Sequence, residues 1–61
     1  MTNFYIIQIF SIHYDKWVNY EPVTIFENKV AAVFCYESLK TNFKDRKFRL
    51  CKISKKEVIK S

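Results

Sequence analysis

The stretch Phe-Tyr-Ile-Ile-Gln-Ile-Phe, residues 4–10, reads as a β-strand that is apolar on both of its sides. Successive side chains of a strand point in opposite directions. One side therefore consists of Tyr5, Ile7 and Ile9, and the other consists of Phe4, Ile6 and Phe10. Such a strand normally lies between two covering layers, but a chain of 61 residues has room for about one helix. We therefore predict that a partner chain covers the second side.

The other elements are predicted from local residue patterns. The second strand is rich in aromatic and β-branched residues, and Pro22, which lacks an N–H group, marks it as an edge strand or a bulged one. The helix has apolar residues at helical spacing, with Asn28 as its N-cap. The Lys-rich C-terminus is expected to be a basic tail, frayed or briefly helical. The predicted bounds are strands at about 4–12, 17–25 and 46–54, a helix at about 29–42, and a tail at 55–61.

These elements predict a single α+β domain over residues 1–61 with the element order β-β-α-β. The first two strands form a hairpin, and the helix returns the chain so that the third strand runs antiparallel to the first. The first strand is apolar on both sides and therefore belongs in the centre. We expect a three-stranded antiparallel sheet of order 2-1-3 with one helix packed on one face. With 49% hydrophobic and 18% aromatic residues, the chain is too apolar to stay disordered.

The predicted helix has apolar residues on two sides. The side expected to cover the sheet consists of Ala32, Cys35, Tyr36, Leu39 and Phe43. The opposite side carries Val30, Val33 and Phe34. A rotated helix, with Phe34 in the core and Tyr36 outside, is an open alternative. A further alternative is that the tail or the hairpin folds over part of the second sheet face.

Apolar side chains without a cover predict an interface, in the first place with a second copy of the chain. Tyr14 and Trp17 lie beside the turn after the first strand and extend this surface, because Tyr and Trp are frequent anchors of protein interfaces. An alternative role for Trp17 is to cover the open end of the core. The candidate interface residues are Phe4, Ile6, Phe10, Val30, Val33, Phe34, Tyr14 and Trp17.

The charge is uneven along the chain. Residues 1–39 hold two lysines against four carboxylates, a net charge of −2, whereas residues 40–61 hold nine cations against two carboxylates, a net charge of +7. A basic end suits nucleic acid or an acidic protein. Lys47 and Arg49 share one side of the third strand while Phe48 takes the other, which weakens a stacking platform for bases. A solvated basic edge that prevents aggregation is the alternative. The candidate basic patch is Lys44, Arg46, Lys47, Arg49, Lys52, Lys55 and Lys56.

No catalytic, cofactor-binding or metal-binding pattern is present, and we predict that the protein is not an enzyme and takes no small-molecule substrate. His13 with Cys35 or Cys51 lacks an oxyanion loop and an orienting third residue. A Cys35–Cys51 disulfide stays open, but nothing indicates export, so reduced thiols and a cytoplasmic location are expected. The apolar runs are far shorter than the roughly 20 residues of a membrane span.

Three short motifs accompany the aromatic first strand: Tyr-Asp-Lys-Trp at 14–17, Ala-Ala at 31–32 and Arg-Lys-Phe-Arg-Leu at 46–50. In this combination residues 4–53 resemble small accessory proteins of phages and prophages. The resemblance implies a non-enzymatic inhibitor of a bacterial defence protein, of the anti-CRISPR kind, that acts in the host cytoplasm, often as a homodimer. It carries over no functional residue. The alternative is a small nucleic-acid-binding or transcription-regulating module that uses the basic C-terminal third.

Overall fold

The computed structural model describes residues 3–61, which form one four-stranded antiparallel sheet and one α-helix. The strand order is β2-β1-β3-β4, so that β1 and β3 are central and β2 and β4 are the edges. A short 3₁₀ turn joins β3 to β4. The elements are β1 (Tyr5–Ser11), β2 (Lys16–Asn19), α1 (Lys29–Asn42), β3 (Phe48–Lys52) and β4 (Glu57–Lys60). The α+β class and the central position of β1 are confirmed.

The hydrophobic core lies between α1 and one face of the sheet. It includes the predicted inner side of β1 and the side of β3 that carries Phe48. Tyr36 is 1% exposed and Phe34 is 75% exposed, so the open question of helix rotation is settled with Tyr36 inside. Phe43 ends the helix and stays 45% exposed, with its ring 6.4 Å from that of Phe48. The buried core cluster consists of Tyr5, Ile7, Ala32, Tyr36, Phe48 and Leu50.

The helix begins and ends where the local sequence predicts. The Asn28 side chain accepts hydrogen bonds from the N–H groups of Val30 (2.8 Å) and Ala31 (3.3 Å), which satisfies two of the helix's free donors. At the other end, the N–H of Phe43 donates to the carbonyl oxygen of Leu39 at 2.9 Å. Within residues 3–61, no helix has both the length and the apolar character needed to cross a membrane.

The prediction of three strands and a basic tail is wrong, because the predicted tail contains the edge strand β4. The reversal needs a residue in the left-handed region, and Lys56 takes that place with φ 51°. Its N–H donates to the carbonyl oxygen of Ile53 at 3.2 Å. Glycine or asparagine is the usual signal for such a turn, and a lysine-rich run contains neither signal.

The second strand is also shorter than predicted. It ends at Asn19, well before the cis Glu21–Pro22 peptide, and the chain then leaves the sheet as a loop. The loop returns at Phe26, which exchanges two backbone hydrogen bonds with Tyr5 (2.8 and 2.9 Å). The prediction that this strand is an edge is confirmed, because β2 is an outermost strand of the sheet. Pro22 lies outside β2, so its missing N–H group is not the reason for this position.

Two predicted surface residues are buried or partly buried by the chain itself. Ile6 is 8% exposed, because it pairs with Cys51, which in turn pairs with Val58 of the unpredicted strand β4. The expectation that this side of β1 has no cover within the chain is therefore wrong at Ile6. Val33 packs against the core cluster instead of lying on the outer side of α1. Phe4 remains 37% exposed and Phe10 is half-buried.

Replacement of Tyr36 by Phe is expected to raise the stability of the protein. The Tyr36 hydroxyl is buried and makes no hydrogen bond to any described residue, and an unsatisfied buried polar group costs about 1–3 kcal/mol. We therefore expect Tyr36→Phe to increase the free energy of unfolding by about 1 kcal/mol in urea denaturation followed by circular dichroism. Tyr14→Phe, a matched change at a 66% exposed site, should leave it unchanged. A Tyr36→Phe variant that is less stable than wild type would contradict the view that the Tyr36 hydroxyl is unsatisfied.

Candidate binding surface on the open face of the sheet

The candidate site is the face of the sheet turned away from α1, which we call the open face. The pairing register places the alternate residues of all four strands together there. The side of β1 that the sequence predicts as an interface belongs to it. Its strand positions are Ile6, Gln8, Phe10, Trp17, Asn19, Arg49, Cys51 and Val58.

A row of polar side chains crosses three strands in the middle of the open face. The Gln8 amide nitrogen donates to Asn19 Oδ1 at 3.0 Å, and Gln8 Oε1 accepts from Arg49 Nε at 2.8 Å. Cys51 Sγ also lies within donor distance of Gln8 Oε1, at 3.5 Å. Gln8 therefore donates through its amide nitrogen and accepts through its amide oxygen. The second of these bonds orients the Arg49 side chain across the sheet.

An aromatic pair flanks this polar row and contacts it through Arg49. The guanidinium carbon of Arg49 lies 4.5 Å from the centroid of the Trp17 ring. Phe10 meets Trp17 edge to face, with centroids 5.5 Å apart and planes at 78°. A cation–π contact of this type contributes about 0.5–1 kcal/mol at an exposed site. Trp17 lies on the side away from the core cluster, so the alternative that it covers the end of the core is wrong.

Arg49 and Trp17 were predicted for two separate surfaces, and the register brings them together. Phe10 pairs with Trp17, and Gln8 pairs with Arg49, which makes Trp17 and Arg49 neighbours across β1. The prediction that Phe48 is separated from its basic neighbours is confirmed, because Phe48 lies in the core. The aromatic partner of Arg49 comes from β2 instead. The contact between Trp17 and Arg49 follows only from the pairing of their strands with β1, and the local spacing of residues does not predict it.

The thiol of Cys51 is a hydrogen-bond donor within this surface. Burial raises the pKa of Cys51, and the nearby positive charge and hydrogen bond of Arg49 partly offset this shift. The neutral thiol therefore persists to more alkaline pH than in an exposed cysteine. Both cysteines are free. Cys35 packs on the helix side of the sheet and Cys51 lies on the open face, so the sheet separates them and excludes a disulfide between them.

His13 is not brought next to either cysteine. It lies in the exposed turn between β1 and β2 and packs edge to face on Tyr14, with centroids 4.9 Å apart. Cys51 pairs with Ile6, near the other end of β1. Tyr14 is 66% exposed, and Lys16 Nζ lies 6.0 Å from its ring centroid. Over residues 3–61, no three His, Cys, Asp or Glu side chains are grouped as a metal site would need.

The cations of the candidate basic patch lie in two groups at opposite ends of β3. The loop before β3 carries the first group, and the end of β3 with the following turn carries the second. The backbone between Lys47 and Lys52 spans about 17 Å in extended conformation. Arg49 is the member that projects from the open face between them. The first group is Lys44, Arg46 and Lys47, and the second is Lys52, Lys55 and Lys56.

A second exposed apolar surface lies on the outer side of α1. Val30 and Phe34 are one helical turn apart and are 77% and 75% exposed. A shallow depression beside Phe34 is lined by Glu37, Ser38 and Thr41. We call Val30 and Phe34 the helix outer face. It is separated from the open face by the core and the sheet, so the two surfaces are independent.

The chain and its fold were compared with known proteins. No protein-family model, no curated protein and no solved structure matches this chain.

Proposed function

We propose that this chain is a small non-enzymatic binding protein that recognises a partner protein through the open face of its sheet. The observation that carries the proposal is the ordered group of Trp17, Arg49 and Gln8 on a sheet face that α1 does not cover. Trp and Arg are the residue types that most often dominate binding energy at protein interfaces.

The open face has the composition of an interface centre. Apolar groups lie on both sides of the polar row, with Phe10 and Trp17 on one side and Val58, 45% exposed, on the other. Arg49 is already fixed by Gln8 and Trp17 in the free protein. An arginine side chain carries about 2 kcal/mol of rotamer entropy, and ordering it during folding removes much of that cost from the binding step.

We further propose that the partner is a bacterial defence protein and that the chain is phage-encoded and inhibits it. This part of the proposal rests on the sequence resemblance to small phage and prophage accessory proteins. The open face supports only its binding component, because steric occupation of a target by a rigid surface inhibits without any chemistry.

The helix outer face supports the proposal of a homodimer. Val30 and Phe34 are strongly exposed on a helix whose other side is in the core. Two copies that pack these helices against each other would bury both aromatic rings, and each copy would keep its open face free for the target. A small domain gains stability from such association.

Nucleic-acid binding is the second candidate function, and the contact between Trp17 and Arg49 favours it. A guanidinium on an aromatic ring is a common element of surfaces that bind single strands. The arrangement of the cations counts against it, since those of the basic patch lie at the two ends of β3 with one arginine between. We therefore rank it below protein binding.

The inhibitor proposal predicts a stoichiometric complex with one bacterial protein. The tagged chain, incubated with lysate of a suspected host, should retain a single protein species at a fixed ratio, measured by mass spectrometry and size-exclusion chromatography. Trp17→Ala should abolish retention, because it removes both the aromatic surface and the support of Arg49. Phe34→Ser, on the opposite side of the molecule, should keep the target. Recovery of nucleic acid alone, or equal retention by Trp17→Ala, would contradict the proposal.

The homodimer proposal predicts a change of mass on substitution of Phe34. Wild-type protein should sediment as a dimer at micromolar concentration, and Phe34→Ser should sediment as a monomer with an unchanged circular dichroism spectrum, since the side chain is 75% exposed. Ile12→Ser, at a 90% exposed position in the turn after β1, is the matched control and should remain dimeric. A wild-type monomer under these conditions would rule out the proposal.

The nucleic-acid alternative predicts a strong dependence on salt. Affinity for a fluorescent single-stranded oligonucleotide should fall steeply as salt rises, with a log–log slope of about −0.7 per phosphate contacted. Replacement of Lys47, Arg49 and Lys52 by Gln should make the slope less negative by about 2. Lys29→Gln, at the start of α1, should leave the slope unchanged. Binding that is insensitive to salt would eliminate this alternative.

A further inference from the structure

Arg49 has donors that the described residues do not use. A guanidinium carries five N–H donors, and within residues 3–61 Arg49 makes one hydrogen bond to a side-chain oxygen, from Nε to Gln8 Oε1, and a weaker contact with the Cys51 thiol. Its two terminal nitrogens donate to no described side-chain oxygen. The contact with Trp17 at 4.5 Å and the hydrogen bond at 2.8 Å fix the group from two directions. The open face therefore presents an ordered cationic fork.

The surroundings of this fork are complementary to an isolated negative charge. No strand position of the open face carries Asp or Glu, and Glu57 pairs with Lys52 on the opposite face. Two parallel N–H donors of a guanidinium match the two oxygens of a carboxylate. A partner group that meets Arg49 therefore has no intramolecular carboxylate to displace.

The residues that flank Arg49 favour an acidic protein segment over nucleic acid. Phe10 and Trp17 lie on one side of the polar row, and Cys51 and Val58 lie on the other. Lys52 and Lys56 line the depression beside Arg49, but the strand positions on these flanks carry apolar side chains. They therefore do not form the row of cations that successive phosphates of a nucleic acid need. The aromatic flank and the polar row are two residues apart along β1, which is about 6.6 Å. An extended segment with an acidic residue between two apolar ones, at alternate positions, matches this spacing.

We propose, on the basis of the binding function above, that Arg49 anchors a carboxylate of a protein partner that is flanked by apolar side chains. The partner segment has the pattern apolar-x-acidic-x-apolar, where the acidic residue is Asp or Glu. Gln8 and Trp17 are positioning residues, because they hold Arg49 without contacting the carboxylate.

A random peptide library displayed on yeast and selected on the wild-type protein tests this proposal with a defined probe. Enriched peptides should contain the acidic pattern, and replacement of Asp by Asn or of Glu by Gln in a synthetic peptide should lower its affinity about tenfold or more. Arg49→Gln should cause a similar loss and Arg49→Lys a smaller one, because lysine keeps the charge but not the fork. Lys29→Gln, the same change of charge at the start of α1, should bind almost as wild type. The peptide variants keep the test valid even if a protein variant folds poorly.

The outcomes separate this inference from the proposed function. Peptides that lose affinity with Trp17→Ala but show no acidic residue overturn the carboxylate anchor and leave the open face as the binding surface. Peptides that are insensitive to Trp17→Ala, or a library without enrichment, overturn both. Displacement of bound peptide by an oligothymidine with a loss on Arg49→Gln would assign Arg49 to phosphate and overturn the protein partner.

Discussion

The antiparallel pairing of β1 with β3 is the constraint on which both surfaces of this protein depend. Side chains alternate along a strand, so a single register assigns every residue of both strands to a face. Ile7 opposite Leu50 places the core on the α1 side, and Gln8 opposite Arg49 places the polar row on the open face. A slip of one residue would exchange the two. The hydrophobic core and the candidate site therefore have one structural origin.

The fourth strand compensates for the small size of the chain, because it adds buried surface to the sheet. A 61-residue domain buries a modest fraction of its surface, and β4 adds cover on both faces. Ile59 packs against the core cluster, and Val58 lies beside Cys51 on the open face. The strand is reached through Lys56 in the left-handed conformation. Cover that would otherwise need a partner chain at Ile6 thus comes from the C-terminal residues.

The open face combines local order with free binding capacity. Gln8 donates to Asn19 and accepts from Arg49, and Arg49 keeps its terminal donors while its orientation is fixed by Gln8 and Trp17. Rigid strands hold these groups, which suits a surface that binds without rearrangement. The helix outer face differs in kind, because Val30 and Phe34 are exposed apolar groups with no polar partner. Two surfaces with such different chemistry are consistent with two different partners.

The amino-acid sequence by itself determined the features that depend on neighbouring residues. The two apolar sides of β1 and the bounds of α1 with its Asn28 cap follow from alternation and helical spacing. Only the tertiary structure decided the fourth strand, the burial of Ile6, and the contact between Trp17 and Arg49. The fourth strand depends on a turn at Lys56 that carries no local turn signal. The burial of Ile6 and the contact between Trp17 and Arg49 depend on the register between strands that are distant in the chain. That register is set by packing of the whole sheet against α1, and no local pattern specifies it.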